Sequence, residues 1–161
     1  MIEAGEDPRF IARRLVILAS EDIGLADPQG LVVAVAAHHA VEFIGMPEGK
    51  IPLAEATLYL ACAAKSNSAV MGIDNAQAAV QKDEVVQVPK YLRDTHYPGA
   101  KQLGHGAGYQ YSHDFPGAIA PQCYGIEPGR FFRPTDHGYE AKIKARLAEW
   151  EKLRAQNPPK P

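Results

Sequence analysis

One segment limits the possible folds of this chain more than any other, because it is apolar on nearly every side of a predicted helix. The helix is predicted over 28–44. Asp27 supplies a capping carboxylate, Pro28 suits the first helical position, and Gly45 is a typical helix end. Its apolar residues include Leu31, Val32, Val33, Val35, Ala36 and Ala37. A helix of this kind is buried among other helices, which favours an all-α fold.

Similar signals predict three more helices in the first half of the chain. Asp7 and Pro8 begin a helix over 8–20, and helical spacing of apolar residues continues over 52–64 and 67–82. Four helices with short connections predict an antiparallel helical bundle. In the last of the four we expect one face to carry Ala69, Val70, Ile73, Ala76, Gln77 and Val80.

A fifth helix is predicted over 139–155, with an apolar stripe and a solvent-exposed face that includes Glu140. The residues before it, 85–137, contain five of the seven tyrosines and many prolines and glycines, without sustained periodicity. This stretch is too long for a simple connection, so we expect it to wrap the bundle or to form a partner surface. One-turn helices are predicted near 89–93 and 98–103.

The chain is accordingly predicted to be a single domain over residues 1–161. Its parts are a helical core at 1–84, a loop-rich wrap at 85–137, a final helix at 138–156 and a frayed tail at 157–161.

The charge balance and the cysteines exclude several classes of protein. A formal net charge of -2 supplies no overall attraction to nucleic acid or to an anionic membrane. The longest nearly apolar run, 31–37, is too short to span a bilayer, which needs about 20 residues. Cys62 and Cys123, without a secretory signal, predict free thiols in a reducing, intracellular protein.

No motif predicts nucleotide binding. Gly49 and Lys50 resemble the end of a phosphate-binding loop, but Ile44 and Ile51 replace the glycine and the hydroxyl that such a loop requires. The glycine cluster at 104–108 follows no predicted strand and is interpreted as a flexible turn with positive φ, with phosphate binding as the weaker alternative.

The catalytic and metal-ligating residue types are equally scattered. His38 and His39 project about 100° apart on a helix, so they cannot easily bind one ion together. The serines lack a glycine elbow, and Cys62 is predicted to be an inert thiol in the middle of a helix. We therefore predict no active site, no cofactor and no metal in this chain.

The most concentrated aromatic and polar patch is 109–115, within a loop over 105–115. We expect its rings to dock the loop onto the bundle; the alternative is that single-stranded nucleic acid stacks on them. Lys101 is the only cation between 94 and 130, which weakens the alternative. An arginine pair on the first helix is a second, weaker interface signal. The candidate contact residues are Tyr109, Tyr111, His113, Arg13 and Arg14.

Several strings, in this order along nearly the whole chain, resemble a known family. They are AGEDP at 4–8 with IARR at 11–14, ASEDIG at 19–24 with ADP at 26–28, YLACA at 59–63 with KSN at 65–67, VP at 88–89 with LR at 92–93, GYQY at 108–111 with HD at 113–114, and RPT at 133–135. The chain resembles the C-terminal region of the MgsA/RarA group of replication-associated recombination ATPases. This AAA+ group is related to the Werner helicase-interacting protein.

The resemblance implies that the chain is a fragment. In this family the residues that bind and hydrolyse ATP with Mg belong to an N-terminal region. The C-terminal part resembles the helical collar of clamp-loader subunits and holds the ATPases together as a homotetramer. The whole protein acts at stalled forks with single-stranded DNA and its binding protein, in the cytoplasm and in association with the nucleoid. The matched strings are largely helix caps and core positions, so they assign no functional residue.

Three hypotheses follow. The leading one is an all-α oligomerisation module, homotetrameric and without activity of its own. The alternative is a module that binds DNA or a partner protein through 105–115. A free-standing enzyme is disfavoured, because no nucleophile and base, and no metal ligands, come together in the sequence.

Overall fold

The computed structural model describes residues 1–82, 84 and 87–156. Over these residues the regular structure is helical, with no β-strand, which confirms the all-α prediction. The α-helices are α1 (Pro8–Leu18), α2 (Gln29–Ile44), α3 (Lys50–Cys62), α4 (Ser68–Gln81) and α5 (Glu140–Gln156). None of the helices in this part of the chain has the length and apolar composition needed to cross a membrane.

The chain forms two compact units. One, the helical unit, contains Met1–Ala76 and Phe131–Lys144; the other, the loop-rich unit, contains Gln77–Arg130 and Ala145–Pro161. Helices α4 and α5 each contribute residues to both units.

Local capping chemistry sets the start of the first two helices, as predicted. The Asp7 carboxylate accepts a hydrogen bond from the Arg9 backbone N–H at 2.8 Å, and Pro8 is the first residue of α1. Asp27 accepts from the Gln29 N–H at 3.2 Å, so α2 begins one residue later than predicted. In both cases a carboxylate satisfies a backbone donor that the helix itself leaves unpaired.

The end of α1 differs from the prediction. The helix ends at Leu18 rather than at residue 20, and the chain continues as a π-helical turn, Ala19–Ile23, and a 3₁₀ turn, Gly24–Ala26. The Ser66 N–H donates to the Asp22 carbonyl at 2.8 Å, so this turn pairs with the backbone that follows α3. Gly24 has φ +52°, and a Cβ there would lie 2.8 Å from the Ser66 carbonyl oxygen. The close approach of two backbones thus requires glycine at this position.

The hydrophobic core of the helical unit is formed by α1, the π-helical turn, α2 and α3. Many core residues are alanines, which lets the helix axes approach closely. At Gly30 of α2 an added Cβ would lie 3.1 Å from Ile23 and 3.2 Å from Leu60, two side chains that are fully buried. The buried core residues are Ala12, Leu15, Ala19, Ile23, Ala34, Ala37, Val41, Leu53, Ala56 and Leu60.

Helix α4 contributes no residue to this core cluster, so the core is built from three helices where the sequence predicted four. The predicted apolar face of α4 is wrong. Ile73 and Val80 are 56% and 64% exposed, whereas Ala79, which lies outside that face, is buried.

The loop-rich unit has short 3₁₀ turns at Lys90–Leu92, Ser112–Asp114 and Pro116–Ala118. The first confirms the helical turn predicted near 89–93. The second prediction, near 98–103, is met in part: the Leu103 N–H donates to the Gly99 and Ala100 carbonyls as in a helical turn, but 98–108 is a run of turns without a regular helix. Side-chain amides contribute to the order of this unit: Gln122 donates to the Gln110 carbonyl at 3.3 Å.

Helix α5 begins at Glu140 and extends to Gln156, within one residue of the predicted bounds. The tail predicted to fray, 157–161, lies outside the described residues, as do 85 and 86 of the predicted wrap.

Candidate functional site

The two predicted arginines lie on α1 in the helical unit. Arg13 and Arg14 are both exposed. The Arg13 guanidinium lies 5.5 Å from the centre of the Phe10 ring, which is within the range of a cation–π contact on the same helix turn. This arrangement is typical of a solvated helix face.

The three predicted aromatic contacts lie in the loop-rich unit and are exposed to solvent. Tyr109 and Tyr111 are 53% and 55% exposed, and His113 is exposed as well. The ring centres of Tyr111 and His113 lie 5.1 Å apart, with a tilt of 47°. The expectation that these rings dock the loop onto the bundle stays a prediction, because the loop and the bundle belong to different units. Within its own unit, the loop presents a small, half-exposed aromatic surface.

The residues that resembled a phosphate-binding loop do not fit a nucleotide. The Gly49 N–H donates to the Gly45 carbonyl at 2.7 Å, and the Ile51 N–H donates to the Glu48 carbonyl at 2.9 Å. In the glycine cluster, the Gly106 N–H donates to the Lys90 carbonyl, also at 2.9 Å. These are backbone donors that a phosphate would need, and each already donates to a carbonyl of the chain.

The glycine cluster has the backbone of a turn. Gly104, Gly106 and Gly108 have φ values of +73°, +73° and +83°, which confirms the interpretation as a turn with positive φ.

The histidines lie in separate environments. His38 is half-buried and His39 exposed, with ring centres 5.6 Å apart. His96 and Asp94 pair at 2.6 Å, which holds the pKa of the Asp94 carboxyl below its ordinary value. The His105 ring contacts the Tyr97 hydroxyl at 2.7 Å. No group of three or more metal-ligand side chains comes together in the described ranges.

Both cysteines are free and exposed, so no disulfide joins them. Cys62 is the last residue of α3, where the sequence had placed it in the middle of a helix. The interpretation of Cys62 as a thiol enclosed by apolar neighbours is therefore wrong.

Helix α2 carries two apolar stripes on opposite sides. The core stripe contains Gly30, Ala34, Ala37 and Val41, at the helical spacing of one face. Val32, Ala36 and Phe43, at i, i+4 and i+11, lie on the other side. Val32 is 59% exposed and Phe43 is 93% exposed. An apolar helix predicted to be buried on every side thus leaves one side uncovered.

Helix α3 repeats this pattern. Its core residues are Leu53, Ala56 and Leu60, and the opposite side carries Ile51 and Leu58, which are 63% and 67% exposed. We call the surface formed by Val32, Ala36, Phe43, Ile51 and Leu58 the α2–α3 face.

A groove of about 220 Å³ lies between the two helices. Its lining is made mostly of small side chains, which leave room between the helix backbones. The lining residues include Val33, Ala36 and Ala40 of α2, and Pro52, Glu55 and Ala56 of α3.

A second apolar groove, of about 460 Å³, lies between the end of α1 and the start of α4. Val16 and Ile17 line one side, and Ala69, Val70 and Ile73 line the other. Three residues of the predicted α4 face, Ala69, Val70 and Ile73, thus form one wall of this groove.

A buried polar cluster lies at the start of α5, and sequence reasoning missed it. Glu140, assigned to the solvent-exposed face, is fully buried at 0% exposure. Its carboxylate accepts hydrogen bonds from the Ser68 hydroxyl, and from the Thr135 N–H and hydroxyl at 2.6 and 2.8 Å. The Ser66 hydroxyl accepts from the Ser68 N–H at 3.2 Å, at the start of α4.

The cluster attaches the start of α5 to the residues around it. The Tyr139 N–H donates to the Ala26 carbonyl at 2.7 Å, and the His137 ring contacts the Lys65 carbonyl at 2.9 Å. Desolvation of the Glu140 carboxylate raises its pKa, but the hydrogen bonds from Ser68 and Thr135 outweigh that effect, and the pKa lies below its ordinary value. The local signal in the sequence was Thr135, five residues before Glu140, whereas Ser68 lies 72 residues away and could not be paired with Glu140 from the sequence.

Two further polar contacts fix the helices of this unit. Arg9 and Glu42 form a two-bonded ion pair at 2.7 and 3.1 Å, which raises the pKa of Arg9. The Tyr59 hydroxyl donates to the Asp27 carboxylate at 2.8 Å, and this bond raises the pKa of Tyr59. Asp27 thus joins the start of α2 to α3 while it caps α2.

These features define an all-α protein module with an uncovered apolar side on α2 and α3. A family model described as MgsA AAA+ ATPase C terminal matches residues 1–151, and the chain belongs to this family.

Three relatives show the extent of the match. An AAA domain-containing protein of Mycobacterium tuberculosis is 49% identical over 158 residues, 96% of this chain and 34% of the relative. Replication-associated recombination protein A of Bacillus subtilis is 41% identical over 148 residues, 89% of this chain and 35% of the relative. ATPase WRNIP1 of Dictyostelium discoideum is 45% identical over 115 residues, 71% of this chain and 13% of the relative.

The chain thus spans about a third of the length of the first two relatives, and corresponds to a C-terminal part of an AAA+ ATPase. The resemblance stated from the sequence strings is confirmed, and the relatives of Bacillus subtilis and Escherichia coli are both named replication-associated recombination protein A.

Proposed function

We propose that this chain is the oligomerisation module of a AAA+ ATPase that acts in DNA replication, recombination and repair, and that it forms homotetramers. The observation that carries the proposal is the α2–α3 face, where Phe43 is 93% exposed on a helix that is apolar on both sides. Large exposed apolar patches mark interaction sites in soluble proteins. The family membership supports the ATPase context.

The module acts through geometry in this proposal. Association of the helical units fixes the spacing of neighbouring subunits, so that ATP sites in the N-terminal region are shared between them. ATP and Mg belong to that region, and the present chain carries no catalytic role. The full-length protein works at stalled forks in the cytoplasm, associated with the nucleoid, with single-stranded DNA and its binding protein as partners.

The mass in solution tests this function. Size-exclusion chromatography with light scattering on the 161-residue chain is expected to give four times the 17.5-kDa chain mass. The oligomer dissociates on dilution, since subunit association depends on protein concentration. A monomer that persists at high micromolar concentration contradicts the proposal.

A second function is favoured by the exposed rings of the loop-rich unit. Tyr109 and Tyr111 leave about half of their surface in water, as expected of rings on which unpaired bases stack. Lys101 is exposed in the run of turns over 98–108, where its ammonium group is available to a phosphate of the bound strand.

For this second function, the double substitution of Tyr109 and Tyr111 by alanine is expected to weaken binding of a fluorescently labelled single-stranded oligonucleotide. Each stacked base contributes about 1–3 kcal/mol, so the loss corresponds to roughly tenfold or more in Kd. The measurement is fluorescence anisotropy at two salt concentrations, because phosphate contacts weaken with salt. Replacing Tyr139, an exposed tyrosine of the helical unit, by alanine is the matched control. Unchanged binding by the double variant removes this function.

A further inference from the structure

Phe43 is the most exposed of the large apolar side chains described in the chain. It lies in the last turn of α2, and 93% of its surface is accessible to solvent. Val32, about three helical turns earlier on the same side of α2, is 59% exposed. A phenyl ring that contacts so little of its own chain gives no stability to the folded monomer, since only buried apolar area stabilises.

The groove between α2 and α3 lies one helical turn from this ring. Ala36 and Ala40, which precede Phe43 by seven and three residues, line one wall, and Pro52 and Ala56 line the other. The groove is open to solvent and has a volume of about 220 Å³. An apolar cavity of about 150 Å³ is large enough to bind benzene, so this groove can accept a phenyl ring.

We propose that Phe43 of one copy inserts into the α2–α3 groove of a second copy, and that the second copy's ring enters the groove of the first. This inference rests on the proposed oligomerisation function and names the surface through which two copies meet. The tetramer is then a pair of such pairs.

The occupant is a second copy because the ring and the groove lie on the same surface. A two-fold axis through the α2–α3 face brings each ring to the other copy's groove, and both are buried at once. The face is also large enough. Besides the four large residues that define it, exposed apolar side chains at the end of α2 and in the intervening turn extend it. The six large side chains are 43–93% exposed, namely Val32, Phe43, Ile44, Met46, Ile51 and Leu58.

At roughly 150–200 Å² per side chain this exposure is on the order of 700 Å², close to the ~800 Å² that each partner contributes to a standard interface. The charge on the groove lining is small, with Glu55 as its one ionisable residue. Like-charge repulsion between two copies is correspondingly weak.

Two single substitutions test the contact from its two sides. Phe43→Ala removes the ring, and Ala36→Trp covers the groove with an indole at an exposed position of α2. Each is expected to raise the dissociation constant of the 161-residue chain at least about tenfold in sedimentation velocity. The double variant is expected to be no weaker than either single variant, since both changes remove the same contact. Circular dichroism checks that each variant keeps the helical fold.

Mixing the two single variants gives a sharper result. A pair of Phe43→Ala copies has grooves but no rings, and a pair of Ala36→Trp copies has rings but no open grooves. A mixed pair keeps one ring and one open groove that match. Mixing an N-terminally labelled Phe43→Ala chain with an unlabelled Ala36→Trp chain is therefore expected to restore association at least threefold above either variant alone. General loss of apolar area predicts no such recovery.

Ile73→Ala is the matched control, because Ile73 is 56% exposed and lines the other groove of the helical unit. It is expected to change the dissociation constant less than about threefold. A wild-type oligomer that Phe43→Ala leaves intact overturns the proposed contact while the oligomerisation function stands. If Ile73→Ala gives monomers and Phe43→Ala does not, two copies meet through the groove between α1 and α4, and the proposed face is wrong. A monomeric wild-type chain overturns both the contact and the function.

Discussion

Replacing Leu60 by alanine is expected to lower the free energy of unfolding by about 2–5 kcal/mol. Leu60 lies in α3 with 0% of its surface exposed, and α2 approaches it so closely that a Cβ on Gly30 would lie 3.2 Å from its Cδ2. Because Gly30 and the neighbouring alanines have no side chains long enough to fill the space, the cavity left by the substitution remains largely open. Urea denaturation followed by circular dichroism measures the loss.

Leu58→Ala is the matched control for this prediction, since Leu58 is on the same helix but is 67% exposed. Its effect on unfolding is expected to stay within about 0.5 kcal/mol when measured below the concentration at which the chain associates. The same variant is expected to weaken association, because Leu58 belongs to the α2–α3 face. Equal losses of stability for the two variants would contradict the assignment of Leu60 to the core and of Leu58 to the exposed surface.

The sequence predicted those parts of the fold that depend on local chemistry. Asp7 and Asp27 precede prolines and cap the next helix, so two starts are set within a few residues of chain. The π-helical turn after Leu18 was missed because its geometry depends on a distant partner: Asp22 pairs with Ser66 across 44 residues. No local pattern of apolar residues carries that information.

The face of α4 was wrong for a different reason. Alanines occupy many positions around this helix, so the apolar spacing is compatible with more than one orientation, and neighbouring helices decide which side is buried. The same ambiguity applied to α2. Its apolar surface on all sides was evident in the sequence, but only the packing of α1 and α3 identifies Phe43, at 93% exposure, as the residue left uncovered.

The candidate site residues could be located only in part. Arg13 and Arg14 lie on a solvated side of α1. Tyr109, Tyr111 and His113 are exposed as well, with about half of each tyrosine accessible to solvent. Their contribution to binding DNA or a partner stays a prediction. Exposure of a ring is a tertiary property, and a loop without periodicity gives no indication of which of its residues face inwards.

Glu140→Ala is expected to lower the free energy of unfolding by about 3 kcal/mol, because it leaves the buried Ser68 hydroxyl and the two half-buried donors of Thr135 without their acceptor. For a chain of this size that loss corresponds to a fall in Tm of roughly 6–12 °C. Thermal unfolding followed by circular dichroism at pH 7 measures it. Glu149→Ala, which removes an exposed carboxylate from the same helix, is expected to change Tm by about 2 °C or less.

The pH dependence separates the role of the Glu140 charge from the role of its packing. Hydrogen bonds from Ser68 and Thr135 keep the folded-state pKa of Glu140 below its ordinary value of 4.5. The charge therefore stabilises the fold fully above that ordinary value, and the stabilisation is lost as pH falls through the folded-state pKa. Glu140→Gln keeps the shape but not the charge, so its stability deficit against wild type is expected to be constant from pH 8 to about pH 6 and to shrink below about pH 4.5. A deficit that is independent of pH throughout would show that the shape of the side chain, and not its charge, attaches the start of α5.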